Sequence, residues 1–138
     1  MPYRILLLED DEPLRHSLRE VMRTWGYRVF ATGRGAEAID LARTQRLDFS
    51  LLDLHVPGMH GTDVLRVIRS EIGPMPSIVM SGEASEEEAS LVKALGAFEF
   101  LRKPLELARL RSSFDHLIRH HFGNSPGSGP GQRGDRPR

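Results

Sequence analysis

The sequence predicts a single α/β domain in which five β/α repeats surround a parallel sheet. Short, unbroken apolar runs alternate with longer stretches whose apolar residues recur at helical spacing. This alternation is typical of strands that are buried on both faces and covered by helices. The chain has 138 residues and 39% hydrophobic content, which is enough for one ordinary core.

The first two repeats lie in the N-terminal third of the chain. The run RILLL, from Arg4 to Leu8, predicts the first strand, and Pro13 suits the first turn of the helix that follows. That helix is indicated by apolar residues at helical spacing and by a glycine stop: Leu14, Leu18, Val21, Met22, Trp25 and then Gly26. YRVFA, at 27–31, predicts the second strand, and the Ala-rich stretch 36–44 predicts the second helix.

The third and fourth repeats are read in the same way. DFSLLD predicts a strand that ends at Asp53, followed by the turn VPGMHG and a helix that carries Val64, Leu65, Ile68 and Ile72. SIVM, at 77–80, predicts the fourth strand, and the next helix carries Ala89, Val92 and Leu95. The glutamates that begin this helix, 86–88, are interpreted as solvated charges that stabilise a helix N-terminus.

The fifth repeat closes the domain, which we expect to occupy residues 1–122. FEFL, at 98–101, predicts the last strand, and the helix after Pro104 carries Leu107, Leu110, Phe114, Leu117 and His121. Residues 123–138 are rich in Gly, Pro, Ser and Arg and are predicted to be a disordered tail. We interpret this tail as a solvated end or linker, and its Arg-Gly-Asp tripeptide as a coincidence.

Composition excludes several classes of function. The chain has 19 basic and 19 acidic residues, so the formal charge is zero and a general attraction to nucleic acid or anionic lipid is not expected. Cysteine is absent, which removes disulfides and thiolate chemistry and fits a reducing compartment. The first apolar run is too short for a signal peptide or a membrane span. We therefore expect a cytoplasmic protein.

Polar residues follow four of the five predicted strands. Glu9 and Asp10 follow the first strand, Asp53 the third, Ser81 the fourth and Lys103 the fifth. In an open parallel sheet the ligand site lies at the carboxyl ends of the strands. If the strand order is the flavodoxin-like 2-1-3-4-5, right-handed crossovers bring these groups to one crevice.

Three carboxylates at one crevice require a cation. Like charges about 4 Å apart repel by about 4 kcal/mol at an effective dielectric of 20. Hard oxygen ligands at Glu9, Asp10 and Asp53 favour Mg²⁺, with Mn²⁺ also suitable. The acidic run alone is as well explained by a solvated acidic loop, so the prediction depends on the Asp and Lys at neighbouring strand ends.

The same residues suit phosphoryl transfer, which needs positioning and neutralisation of negative charge. Asp53 is the candidate nucleophile. The Lys103 ammonium and the metal offset charge on the phosphoryl oxygens, and the Ser81 hydroxyl donates a hydrogen bond to one of them. Without their companions, Ser81 would be an ordinary turn serine and Lys103 a solvated lysine.

The motifs that carry these residues resemble the receiver domain of two-component response regulators, the superfamily of the chemotaxis regulator, over residues 3–121. The matching segments are LLLEDDEPLR, LLDLHVPGMHG, SIVMSGE and FEFLRKP. The resemblance implies that Glu9, Asp10, Asp53 and the His55 carbonyl bind Mg²⁺ and that Asp53 accepts the phosphoryl group. It also implies a cis bond between Lys103 and Pro104.

The resemblance further implies a conformational switch. On phosphorylation, Ser81 moves towards the phosphoryl group and the aromatic residue three before the lysine, here Phe100, turns inward. The last two helices and the fifth strand then present a changed face. Because Phe100 lacks a phenol hydroxyl, this switch would act through packing. His55 and Glu83, each two residues after a site residue, are expected to tune the lifetime of the phosphate.

This reading makes the chain a signalling switch that catalyses only its own phosphorylation and dephosphorylation. Its expected partners are a histidine kinase or phosphotransfer protein and an unidentified output protein, with a homodimer through the last two helices and the fifth strand as a further option. No helix-turn-helix follows the domain, so DNA binding by this chain is not expected. The chain would be either free-standing or the input part of a longer regulator.

Other readings remain open from the sequence. A haloacid-dehalogenase-type phosphohydrolase also uses Mg²⁺ and Asp, but its nucleophile belongs on the first strand and its substrate lies under a cap. A flavodoxin-like cofactor binder would need a less acidic loop after the first strand. His116 and His120, at i, i+4 spacing, could ligate a metal, although a polar helix end is the preferred interpretation.

Overall fold

The structure, a computed structural model, describes residues 2–123. Its sheet has five parallel strands in the order β2-β1-β3-β4-β5, which confirms the predicted fold class and strand order. The strands are β1 (Arg4–Leu8), β2 (Arg28–Thr32), β3 (Phe49–Asp53), β4 (Ser77–Ser81) and β5 (Glu99–Arg102).

A helix follows each strand, in the predicted alternation. They are α1 (Glu12–Thr24), α2 (Gly35–Thr44), α3 (Gly61–Val67), α4 (Glu86–Ala94) and α5 (Leu107–Phe122). The third helix continues as a π-helical turn, Ile68–Ile72, in which the Gly73 amide donates to the Ile68 carbonyl at 3.0 Å. The pattern of apolar residues does not distinguish this wider turn from an α-helix.

The two faces of the sheet carry separate apolar cores. In β1, Leu6 and Leu8 point to the face covered by α2, α3 and α4, whereas Ile5 and Leu7 point to the face covered by α1 and α5. All four side chains are fully buried. Because each such burial contributes about 2 kcal/mol, both faces of a central strand must be apolar, which explains the unalternating run in the sequence.

Side-chain caps fix the beginnings of three helices at the carboxyl edge of the sheet. Asp11 accepts from the Leu14 amide at 2.9 Å and begins α1. The His60 ring accepts from the Thr62 amide at the start of α3, and Ser85 begins α4. A cap of this kind is worth about 1 kcal/mol, and here each one also fixes the end of a loop that borders the candidate site.

The predicted boundaries differ from the observed ones by one residue in places. The second and fifth strands begin at Arg28 and Glu99, one residue later than predicted. Of the predicted tail, 123–138, all but Gly123 lies outside the described residues. Among residues 2–123, no helix is both long enough and apolar enough to cross a membrane.

Candidate functional site

The polar residues predicted at strand ends meet at the carboxyl edge of the sheet. Glu9 and Asp10 follow β1, Asp53 is the last residue of β3, Ser81 ends β4 and Lys103 follows β5. Neighbouring strands are in parallel register, with Asp53 opposite Met80 and Ser81 opposite Arg102. The strand order therefore brings the four strand ends to one crevice.

The three carboxylates form one compact cluster. Glu9, Asp10 and Asp53 each present an oxygen within 4.8 Å of the others. Glu9 is fully buried and Asp53 is 4% exposed, whereas Asp10 lies at the surface. Burial raises the pKa of Glu9 to about 7, although hydrogen bonds from Lys103 and the Asp11 amide oppose this rise. Glu9 and Asp53 are therefore poorly solvated, and their negative charge is only partly compensated by protein groups.

Lys103 supplies the positive charge at this cluster. Its Nζ donates to Glu9 Oε1 at 2.5 Å and to Asp53 Oδ2 at 3.1 Å. Partial burial disfavours the ammonium, but these two carboxylates outweigh that effect and raise the pKa of Lys103. The peptide bond from Lys103 to Pro104 is cis, as expected.

The backbone after β3 holds Asp53 in place. Asp53 Oδ1 accepts from the His55 amide at 3.1 Å. In the turn between β3 and α3, Gly58 has a φ of 84°, a backbone conformation that favours glycine. A Cβ at Gly61 would lie 2.6 Å from the Asp53 carbonyl oxygen, so only glycine allows α3 to begin this close to the end of β3.

Ser81 is fully buried and its hydroxyl contacts His55. Ser81 Oγ lies 3.0 Å from His55 Nδ1 and also accepts from the Glu83 amide at 3.1 Å. The side chain of Glu83 is exposed. Of the two residues proposed to tune phosphate lifetime, His55 therefore contacts the hydroxyl through its ring and Glu83 through its backbone.

Phe100 is partly buried and packs against the core beneath α2, α3 and α4. The Arg102 guanidinium lies 5.3 Å from the centre of its ring and donates to the Ala84 carbonyl and to Glu86, both at 2.8 Å. Phe100 and Arg102 thus link β5 to the beginning of α4.

A second group of contacts, which the sequence pattern does not predict, lies at the mouth of the crevice. Glu88 Oε2 lies 3.2 Å from His55 Nε2 and 3.2 Å from His60 Nε2. The sequence predicts for Glu88 only a solvated charge at a helix N-terminus. The Ser85-x-x-Glu88 spacing is the signature of a capping box and could have revealed a fixed side chain, but its histidine partners lie about thirty residues away in sequence and are brought close only by the fold.

The histidines of α5 take up a different environment. The rings of His116 and His120 lie 5.3 and 5.6 Å from that of Phe98. In the described part of the chain, two groups of three potential metal ligands occur, and neither includes these residues. Their i, i+4 spacing is accounted for by packing around Phe98.

The donors of the acidic cluster fit a hard divalent cation. All three are carboxylates, which suit Mg²⁺ better than zinc, and Asp10 leaves the cluster open to solvent. The two buried carboxylates share one ammonium, so a cation would reduce the remaining negative charge.

Comparison with known proteins agrees with this geometry. A family model described as the response regulator receiver domain matches residues 5–115. Response regulator MprA of Mycobacterium sp. (strain KMS) is 35% identical over 130 residues, which cover 94% of this chain and 55% of that protein. Cell cycle response regulator CtrA of Brucella ovis is 31% identical over 122 residues, which cover 88% and 53%. The chain spans about half the length of these curated relatives.

Solved structures give the same result. The non-phosphorylated HemR receiver domain from Leptospira biflexa has a TM-score of 0.79 at 33% identity, over 84% of this chain and 94% of that one. A response regulator receiver protein from Pseudomonas putida has a TM-score of 0.80 at 27% identity, over 84% and 98%. With the strand order and the matched family, these likenesses establish that the chain belongs to the response regulator receiver domain family, a signalling domain of two-component systems.

Proposed function

We propose that this domain receives a phosphoryl group on Asp53 from a histidine kinase or a phosphotransfer protein. The observation that carries the proposal is the pair of hydrogen bonds by which Lys103 joins Glu9 to Asp53. It gives the candidate acceptor a fixed cationic neighbour beside an oxygen cluster suited to a metal. Phosphoryl transfer depends on this combination of positioning and charge neutralisation.

Glu9, Asp10, Asp53 and the backbone carbonyl of His55 would hold Mg²⁺, or Mn²⁺ in its place. When bound, the ion offsets negative charge on the phosphoryl oxygens and on the carboxylates around it. The residues of the chain perform the remaining tasks. The His55 amide orients Asp53 through Oδ1, and Lys103 holds Oδ2.

In the transfer step, an Asp53 carboxylate oxygen forms a bond to phosphorus while the bond from phosphorus to the donor's imidazole nitrogen breaks. The leaving imidazole takes up a proton from solvent. Lys103 and the Ser81 hydroxyl each donate to an oxygen of the transferred group. Water later hydrolyses the acyl phosphate and returns Asp53 to its carboxylate form.

Phosphorylation would act as a switch through Ser81 and Phe100. A phosphoryl group that binds one arrangement of Ser81 better than another shifts the equilibrium between them. Movement of Phe100 would disturb Arg102 and, through it, the beginning of α4. The α4, β5 and α5 surface is therefore the proposed contact for an output partner or for a second copy of the domain. We propose the cytoplasm as the location of this activity.

The alternative functions receive less support. The candidate nucleophile lies at the end of β3, whereas the dehalogenase-type reading requires it on the first strand. The loop after β1 presents Glu9 and Asp10, which would repel a flavin phosphate. A role as receiver is the one that accounts for all four strand ends together.

The test is to incubate the protein with Mg²⁺ and acetyl phosphate and to measure the mass of the intact chain and of its peptides. We expect the added mass of one phosphoryl group on the peptide that contains Asp53, and no addition without Mg²⁺. Asp53→Asn should show none. Asp63→Asn is the matched control because Asp63 is an exposed aspartate in the first turn of α3, the helix that follows Asp53 and its loop.

Two results would contradict the proposal. One is equal phosphorylation of Asp53→Asn and the parent, which would place the acceptor elsewhere. The other is an absence of added mass in the parent under conditions in which a known receiver domain, treated in parallel, becomes phosphorylated.

A further inference from the structure

His55, His60 and Glu88 form a second cluster of potential ligands beside the acidic one. His55 and His60 come from the loop between β3 and α3, and Glu88 comes from the first turn of α4. Their ligand atoms all lie within 4.8 Å of one another. The side chains are 33%, 36% and 31% exposed, so an ion could reach them from solvent.

The spacing of these atoms is suited to a tetrahedral ion. Glu88 Oε2 is 3.2 Å from each of His55 Nε2 and His60 Nε2. Two ligands bound to a tetrahedral zinc ion at about 2.0–2.1 Å lie about 3.3 Å apart. Two imidazoles with one carboxylate also form a common catalytic zinc ligand set, in which water takes the fourth position.

Two of the three ligands, His60 and Glu88, are held by contacts within their own loop and helix. His60 is the N-cap of α3, and its Nδ1 lies 2.8 Å from Thr62 Oγ1. Glu88 Oε1 accepts from the Ser85 amide in the capping box, which leaves Oε2 directed at the histidines. The hydrogen bond with the Ser85 backbone and then that with His55 lower the pKa of Glu88, so it stays ionised. A pre-formed set of ligands loses little entropy when it binds an ion.

We propose that His55, His60 and Glu88 form a binding site for a zinc-class divalent metal ion, separate from the oxygen-only cluster at Glu9, Asp10 and Asp53. Imidazole nitrogen favours zinc and related transition metals, whereas Mg²⁺ favours oxygen. The two clusters therefore select different ions at the same edge of the sheet.

Metal at this site would act on Ser81 through the two nitrogens of His55. A neutral His55 that binds a metal through Nε2 carries its proton on Nδ1. Nδ1–H then donates to Ser81 Oγ, which lies 3.0 Å away. Ser81 Oγ then accepts from His55, so the hydroxyl proton of Ser81 is available to another acceptor.

Metal binding through Nε2 of His60 would break one hydrogen bond of this residue, because its Nδ1 would then carry a proton. Its Nδ1 accepts from the Thr62 amide at 3.2 Å, whereas metal at Nε2 requires a proton on Nδ1. The Thr62 hydroxyl, 2.8 Å from Nδ1, offers an acceptor for that proton. The contact with the amide is exchanged for the contact with the hydroxyl, and the histidine remains held by Thr62.

The test is a titration of the whole chain with Zn²⁺ in the presence of excess Mg²⁺, followed by calorimetry, with Co²⁺ as a spectroscopic probe of four-coordinate geometry. We expect one zinc ion per chain. Glu88→Gln and His60→Asn should each weaken zinc binding by at least about 100-fold, because each removes a direct ligand and loss of a residue that only supports a ligand already costs about 10–100-fold. Asn at position 60 can still cap α3, so a folded variant is expected.

The matched control is His116→Ala with His120→Ala, which removes the histidine pair of α5 and should leave zinc affinity unchanged. Loss of zinc binding in this control, or its retention in both His60→Asn and Glu88→Gln, would overturn the proposal. So would a parent protein that binds no zinc. Because the readout is metal binding, its failure is separate from any failure of Asp53 phosphorylation.

Discussion

The two ligand clusters at the carboxyl edge of the sheet differ in burial and in how their charge is balanced. Glu9 and Asp53 are almost fully buried and share the single ammonium of Lys103. The histidine cluster is about one third exposed, and its one carboxylate faces two imidazoles. The first cluster retains excess negative charge and needs a cation, whereas the second is satisfied by hydrogen bonds and can bind an ion without requiring one.

The largest expected effect is a difference in Mg²⁺ affinity between a variant of the acidic cluster and a variant of the histidine cluster. Glu9→Gln should weaken Mg²⁺ binding by at least about 100-fold, because a direct ligand is lost and loss of a residue that only supports a ligand already costs about 10–100-fold. Glu88→Gln should leave Mg²⁺ affinity unchanged, since this residue lies in the other cluster. Calorimetric titration of both variants with Mg²⁺ measures the difference. Equal losses in the two variants would mean that the clusters act as one site.

The second largest effect is expected on the free energy of unfolding, when the ammonium of Lys103 is removed. Lys103→Met leaves Glu9 and Asp53 facing each other without a counter-charge, and we expect a loss of about 2 kcal/mol in the free energy of unfolding without Mg²⁺. Mg²⁺ should restore part of this loss. Urea denaturation of the variant and of the control Lys93→Met, an exposed lysine of α4, tests it. A loss that is equal in both variants would contradict the assigned role of Lys103.

Mg²⁺ affinity should also depend on pH. Burial raises the pKa of Glu9 to about 7, above its ordinary value, so the protonated form is favoured at low pH. The metal needs the ionised carboxylate, and binding is therefore lost as pH falls through this pKa. Between about pH 8 and about pH 6 we expect the dissociation constant to rise about tenfold. Calorimetry at constant ionic strength checks this, and a constant affinity would contradict it.

The smallest effect concerns the lifetime of the phosphate. In His55→Ala the Ser81 hydroxyl loses its ring partner and is free to bind the phosphoryl group. One hydrogen bond is worth about 0.5–1 kcal/mol, so hydrolysis should slow by about threefold. Decay of radiolabelled protein gives the lifetime. Glu83→Ala removes only an exposed side chain and should change it less, and identical decay of His55→Ala and the parent would exclude this role for His55.

The order of strands and the residues that meet at their ends could be predicted from the sequence. The unalternating apolar run of β1 reflects burial on both faces. The residue after a parallel strand lies at the carboxyl edge of the sheet, where ligand sites occur. Glu9, Asp53 and Lys103 were therefore expected to meet, and the structure brings them into contact.

The histidine cluster could not be predicted in this way. It depends on the path of the loop after β3 and on the rotation of α4 about its axis. Neither feature produces a periodic pattern of residues in the sequence. The resemblance implies a backbone role and a tuning role for His55, but the contact of its ring with Glu88 depends on the capping box at Ser85. The π-helical turn after α3 escaped prediction because its apolar spacing resembles that of an α-helix.

The carboxylate of Glu88 performs two tasks with its two oxygens, since one caps α4 and the other faces His55 and His60. Glutamine could keep the cap but not the charge, and aspartate would be one methylene shorter. Evolution is therefore constrained at this position from two directions. Among receiver domains of similar length, we expect position 88 to vary together with positions 55 and 60, so that a lineage that lost the histidines could exchange the glutamate for glutamine, which keeps the cap.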